Sequence, residues 1–215
     1  MKTSIQFPYE AHYYLSNEPS YEEREIWLVL HGYGQLAEFF VRKFKTVFSP
    51  DRIFIAPEGT NYNYLEGFQG RVGANWMTKH ERETAIANNH RFLDTLLDSF
   101  LEKYPHRPTI HVLGFSQGAA TATRWASQWD GKIDTLVLWA GGFALDLNLE
   151  KSKSAFRETE VILAVGSADE LITSDHVIQQ EALISSMGKD VLRLSHTGGH
   201  ELDAGLLEKI INRKK

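Results

Sequence analysis

The sequence predicts an α/β fold, in which a mostly parallel central sheet is flanked by helices on both faces. Three observations predict it. Short, nearly continuous apolar runs recur along the 215 residues, as strands covered on both faces require. Between them lie longer stretches whose apolar residues are spaced three to four apart. No repeat, low-complexity tract or Pro/Gly/Ser-rich linker interrupts the alternation, so one domain over residues 1–215 is expected.

The buried strands are predicted at residues 26–30, 53–56, 110–115, 136–140 and 161–165. Residues 5–7 and 13–15 alternate more and predict an antiparallel edge, while 191–195 reads as a last, partly exposed strand. A helix is expected over 81–104, where Ile86, Leu93, Leu97, Leu101 and Tyr104 keep helical spacing; Thr78 and Glu81 predict a capping box at its start. Further helices are expected at 117–127, at 174–187 before Gly188, and at 202–211.

Composition narrows the function. Hydrophobic residues make up 42% and charged residues 24%, ordinary values for a soluble globular chain. A net charge of −5 offers no general attraction for nucleic acid or anionic lipid. The basic end Arg213-Lys214-Lys215 reads as a solvated helix terminus. No apolar run approaches the roughly 20 residues that span a bilayer, and Met1-Lys2-Thr3-Ser4 leads into no apolar signal core. With no cysteine there are no disulfides or thiolate metal sites. A cytoplasmic location is the expectation.

Residues 57–77 break the rhythm, with Gly59, Gly67, Gly70 and Gly73 among Tyr62, Tyr64, Phe68 and Trp76. Loops of that length commonly border functional sites. Tyr62, Tyr64, Phe68, Trp76 and Met77 are therefore expected to wall a substrate pocket, together with Phe143.

The strand at 110–115 runs into Gly114-Phe115-Ser116-Gln117-Gly118, a G-x-S-x-G motif followed by a small-residue helix. Alone the motif is weak; the strand–turn–helix setting makes it specific. A serine lifted off the sheet edge by a tight turn leaves no room for side chains two positions away, so glycines flank it. The same turn aims the Gln117 backbone N–H at the place where an oxyanion would form.

Serine needs a base, and a neutral imidazole suits neutral pH. Of the nine histidines only His176, His196 and His200 follow Ser116. His176 falls within a helix and His196 ends a strand. His200 follows Gly198-Gly199 and precedes the last helix, so it leads, with His196 as the alternative. For the acid, Asp169 stands just beyond the strand at 161–165 and would hold the imidazole in its working tautomer. Glu170, Asp146 and Asp175 are weaker alternatives, Asp175 because it suits the first turn of a helix. The loop His31-Gly32-Tyr33-Gly34 after the first buried strand is expected to present a second amide, that of Tyr33, to the oxyanion.

Leu30-His31-Gly32-Tyr33-Gly34, Gly114-Phe115-Ser116-Gln117-Gly118, Gly166-Ser167-Ala168-Asp169 and Gly199-His200 together resemble the carboxylesterase/phospholipase family of α/β-hydrolases, which includes acyl-protein thioesterases and small bacterial carboxylesterases. The resemblance runs from about residue 26 onward. It implies the α/β-hydrolase fold, Ser116, Asp169 and His200 as a catalytic triad, and the Tyr33 and Gln117 amides as the oxyanion hole. It implies a carboxylic ester as the small-molecule substrate and no metal or organic cofactor; a homodimer is compatible with it. The chain departs from the family at Tyr33, where a small aliphatic residue is usual, and at Gln35, where an acidic one is. Trp76-Met77-Thr78 stands where the family has a tryptophan-aspartate pair. These departures bear on substrate choice.

Other readings are weaker. A thioesterase or lysophospholipase would share the same carbonyl chemistry. A non-catalytic relative would lack a triad member or the oxyanion loop. A dinucleotide-binding reading of Gly32-Tyr33-Gly34-Gln35-Leu36-Ala37 lacks the acidic residue that should close the next strand.

Overall fold

The computed structural model describes residues 1–213. The expected alternation forms. In chain order the elements are β1 (Tyr13–Leu15), β2 (Glu25–Leu30), α1 (Ala37–Val41), β3 (Arg52–Pro57), β4 (Asn61–Glu66), β5 (Gln69–Asn75), α2 (Arg82–Leu101), β6 (Thr109–Phe115), α3 (Gln117–Ala126), β7 (Thr135–Trp139), α4 (Leu149–Ala155), β8 (Glu160–Gly166), α5 (Ser174–Met187), β9 (Val191–His196) and α6 (Ala204–Ile211). A 3-10 segment, Arg42–Val47, continues α1.

Seven strands form one sheet in the order β1-β3-β2-β6-β7-β8-β9. Only β1 runs antiparallel to its neighbour; every other pairing in the sheet is parallel. The register aligns the carboxyl ends that matter. Leu30 pairs with Gly114, Phe115 with Trp139, and Gly166 with His196. Loops leaving β2, β6, β8 and β9 therefore emerge along one rim, where open α/β sheets bind ligands.

The strands send alternate residues to opposite faces. Ile26, Leu28 and Leu30 meet Leu93, Leu97 and Phe100 of α2, Ala122 and Trp125 of α3, and Ile184 and Met187 of α5. Trp27 and Val29 face the other way, toward Phe40, Phe44, Leu207 and Ile211 from α1, the 3-10 segment and α6. Both faces are covered, so the strands are almost continuously apolar. Truncating a side chain such as the buried Trp125 would cost about 3–5 kcal/mol.

Several local expectations are corrected. Residues 57–77 are not an irregular loop: β4 and β5 form an antiparallel hairpin with a register shift between Tyr64 and Glu66. The capping box at Thr78 and Glu81 does not form, because Glu81 is the N-cap in a left-handed conformation (φ 51°) and makes no side-chain cap bond. Its carboxylate pairs with Lys2 instead. Residues 5–7 adopt no strand. The last helix begins at Ala204 and not at Leu202, because Asp203 caps it, accepting the Leu206 N–H at 2.7 Å. Of the basic terminus, Arg213 pairs with Glu160 (3.1 Å), while Lys214 and Lys215 lie outside the described residues.

Candidate active site

Ser116 joins β6 to α3 at φ 54° and ψ −118°, a region that costs a non-glycine residue about 1–3 kcal/mol. The surroundings enforce it. The Ser116 N–H donates to the Trp139 carbonyl (2.8 Å), and its own carbonyl accepts from Ala119 (3.0 Å). A Cβ on Gly114 would stand 2.4 Å from the Gly118 carbonyl oxygen, and one on Gly118 would stand 2.3 Å from that of Leu30. The motif's glycines are therefore demanded by strand–helix contact.

The His200 imidazole spans the gap between two side chains far away in sequence. Nε2 lies 2.9 Å from Ser116 Oγ, and Nδ1 lies 2.9 Å from Asp169 Oδ2. A carboxylate can only accept, so Nδ1 carries the proton there and Nε2 is left to accept from the serine hydroxyl. The second Asp169 oxygen accepts the Leu171 N–H (3.0 Å). Its carboxyl is fully enclosed, whereas the His200 side chain remains 23% exposed. Phe115 packs on the His200 ring at 5.1 Å.

Backbone bonds hold these loops in place. Ser167 and Ala168 donate to the His196 and Gly198 carbonyls (2.8 and 3.1 Å), tying the acid-bearing loop to the histidine-bearing one. The Trp139 indole N–H donates to the Glu201 carbonyl (2.8 Å).

The competing acids and bases go elsewhere. His196 Nδ1 accepts the Gly198 N–H (3.0 Å), with its ring against Trp139. Asp146 is held by Arg124 and Arg82. Burial raises its pKa, but the two guanidiniums outweigh that and hold the carboxyl down at about 2. Asp175 sits in the first turn of α5, Glu170 is exposed, and His176 lies on α5.

The loop after β2 passes beside the serine: a Cβ on Gly32 would stand 3.3 Å from Ser116 Cβ. Tyr33 follows with its side chain exposed, and Gln117 opens α3. Neither backbone N–H donates to an acceptor among the described residues. The loop is well supported. Gln35 Oε1 accepts the Gly32 N–H (2.9 Å). Gly34 donates to the Ala74 carbonyl (2.9 Å), and Ala74 donates back to Gln35 (3.2 Å).

Beneath the loop lies support that sequence reasoning missed. His31 is wholly buried; its Nε2 accepts the Gly59 N–H (2.9 Å) and its Nδ1 lies 2.7 Å from the Gly32 carbonyl. Burial pushes its pKa down to about 4, against the Gly32 hydrogen bond, so the ring is neutral at pH 7. Trp76 stacks on it at 5.0 Å and donates its indole N–H to the His31 carbonyl (2.8 Å). The Gln117 side chain adds another brace, accepting the Trp76 N–H (2.9 Å) and donating to the Met77 carbonyl (2.8 Å). The available signal was the adjacency of His31 to the glycines.

Ser116 and His200 open into a cleft of about 620 Å³, with Met77, Phe143, Leu145 and Leu171 among its walls. Gln180 braces Phe143 by accepting its N–H (2.8 Å) and donating to its carbonyl (2.9 Å). Of the residues expected to wall a pocket, Met77 and Phe143 line this cleft. The other pocket candidates do not. Trp76 is buried against His31 under the loop after β2, Phe68 is 96% exposed near the hairpin turn, and Tyr62 and Tyr64 are half-exposed along β4. Their strand pairing carries them away from the cleft. Tyr62 instead donates its hydroxyl to the buried Glu58 (3.0 Å). Among the described residues no cluster of three or more His, Cys, Asp or Glu is placed to hold a metal.

Solved structures share this architecture. An acyl-protein thioesterase 2 from Zea mays superposes with a TM-score of 0.71 at 17% identity, covering 94% of this chain and 96% of its own. A phospholipase/carboxylesterase from Dyadobacter fermentans gives 0.70 at 16% identity, over 97% of this chain and 98% of its own. A Bacillus cereus carboxylesterase gives 0.67 at 16% identity, over 94% and 92%. At these identities the likeness speaks for the fold. No curated protein sequence matches the chain. The phospholipase/carboxylesterase family model, however, matches residues 15–213. The chain belongs to the phospholipase/carboxylesterase family of α/β-hydrolases.

Proposed function

We propose that this protein is a serine hydrolase that cleaves carboxylic esters through an acyl-enzyme. Family membership supports an esterase- or thioesterase-type hydrolase. The observation that supports the specific mechanism most is the continuous Ser116–His200–Asp169 hydrogen-bond chain, 2.9 Å at each link, at the mouth of a cleft.

In this reading Ser116 Oγ attacks the ester carbonyl carbon as its proton passes to His200 Nε2, and the carbonyl π pair moves onto oxygen. The Tyr33 and Gln117 amides hold that oxyanion; losing one such donor typically costs about 3–4 kcal/mol of transition-state stabilisation. The oxyanion collapses, the carbon–alkoxy bond breaks, and His200 returns its proton to the departing alcohol. Water then attacks the acyl-enzyme by the same route, releasing the acid and restoring Ser116. Asp169 keeps the imidazole in the required tautomer and stabilises the imidazolium.

A fluorophosphonate probe tests the reading. The wild type should label at one site, and Ser116→Ala should not label while remaining folded by circular dichroism. A folded wild type that resists labelling would remove the proposal. Matched oxygen esters and thioesters of one acyl chain, compared by kcat/KM, assign the preferred leaving group.

A further inference from the structure

The cleft has a polar end that ester hydrolysis does not use. Ser116, Ala120 and Arg124 all line it, and their four-residue spacing stacks them on one face of α3. Arg124 Cα therefore lies about 12 Å along the helix axis from Ser116. A helical side chain leans toward the N-terminus, and Arg124 lines the same cleft as Ser116.

Arg124 is largely enclosed, with its side chain 11% exposed. Asp146 occupies Nε (2.9 Å) and Nη2 (2.9 Å). Among the described residues Nη1 meets the Met77 sulfur alone, at 4.0 Å, too long for a strong bond. Arg82 also lines the cleft and donates to the same carboxylate at 2.6 Å. Two guanidiniums thus share Asp146; Arg82 also pairs with Glu83, which is 81% exposed. His176 also lines the cleft, with a buried Nε2 that has no partner among the described residues. Enclosed donors with incomplete acceptors are expensive in a folded protein unless something arrives to meet them.

The direction of the substrate follows from the two faces of the sheet. His200 enters from the loop leading to α6, whose side chains pack with Phe115 on one face, whereas α3 packs on the other. The leaving alcohol must face His200 to be protonated, so the acyl arm is directed along α3, past Ala120. We infer that the substrates are esters of short dicarboxylic acids, whose free carboxylate is received by Arg124, with Arg82 beside it, while the esterified end is placed over Ser116. The acyl-arm assignment rests on the serine hydrolase reading.

The test compares p-nitrophenyl hemisuccinate, hemiglutarate and hemiadipate with the neutral butyrate, pentanoate and hexanoate esters. At one chain length or more, the wild type should favour the carboxylated ester at least tenfold in kcat/KM, chiefly through KM. Arg124→Gln should abolish that preference, Arg124→Lys should restore part of it, and Arg82→Gln should reduce it. The Arg82 variant keeps the test open should Arg124→Gln fold poorly. Neutral esters favoured at every length by the wild type, or a preference equal in wild type and Arg124→Gln, would overturn the inference. Fluorophosphonate labelling and turnover of the neutral esters report separately on Ser116. Labelling with no carboxylate preference sinks the substrate class alone, and absence of labelling sinks the hydrolase reading and the acyl-arm assignment with it.

Discussion

Gly166 lies directly against Gly199: a Cβ built on Gly166 would stand 2.3 Å from the Gly199 carbonyl oxygen and 2.2 Å from that of Gly198. The end of β8, which leads to Asp169, and the loop that carries His200 are thus in backbone contact. Gly166→Ala should push the two apart and lengthen the bond from His200 to Ser116. Misplacement by about 1 Å can cost roughly 100-fold in rate. We expect kcat to fall by about that factor with the fold retained; an Ala variant within threefold of wild type would show the loops are more compliant than their packing suggests.

His31 links acid stability to the loop after β2. Its folded-state pKa is about 4, below the ordinary value of 6.5. As pH falls through 6.5 the unfolded chain takes up a proton that the folded chain refuses, so stability is lost between 6.5 and about 4. The loss from this residue is of order 3 kcal/mol. Urea unfolding from pH 7 to pH 4 should show a slope of up to one proton from this group. His31→Gln should flatten the curve by that proton, and a slope unchanged in the variant would assign the linkage elsewhere.

Gln117→Ala keeps the backbone N–H at the start of α3 but removes both bonds to Trp76 and Met77. Leaving a partly buried N–H and carbonyl unpaired should cost about 1–3 kcal/mol. Chemical denaturation measures this directly, and a change under 0.5 kcal/mol, the scale of neutral surface substitutions, would show that the brace contributes little.

Phe68 is almost fully exposed at the hairpin turn, and it does not line the cleft. Phe68→Ala should leave kcat/KM within about twofold and stability within about 0.5 kcal/mol. A tenfold loss on any ester would reinstate the hairpin turn as part of the binding surface.

What was legible in the sequence was whatever burial dictates on both faces. The strands around Ile26–Leu30 and Val161–Val165 have no polar positions to confuse their period, and the loops bearing Ser116, Asp169 and His200 follow strand ends that the parallel register then aligns. The hairpin was harder. Asn61-Tyr62-Asn63-Tyr64 has a strand's alternation, but β4 is largely exposed, so the pattern carries little hydrophobic contrast. Its aromatic content predicts a pocket wall, whereas the hairpin leaves most of those side chains exposed. Trp76 went astray for a related reason, because its role beneath His31 depends on the hairpin folding back over the loop after β2, a long-range contact with no local periodicity. The Thr78 and Glu81 spacing suited a capping box, yet the pairing of Glu81 with Lys2, remote in sequence, accompanies a different helix start.

The left-handed backbone of Ser116 has a consequence for evolution and engineering alike. Glycine adopts φ 54° without steric penalty, so Ser116→Gly should unfold at a higher temperature than wild type while having no hydroxyl with which to attack. In the proposed mechanism, selection for thermal resilience alone would therefore discard the attacking side chain, and this turn would trade durability for reactivity.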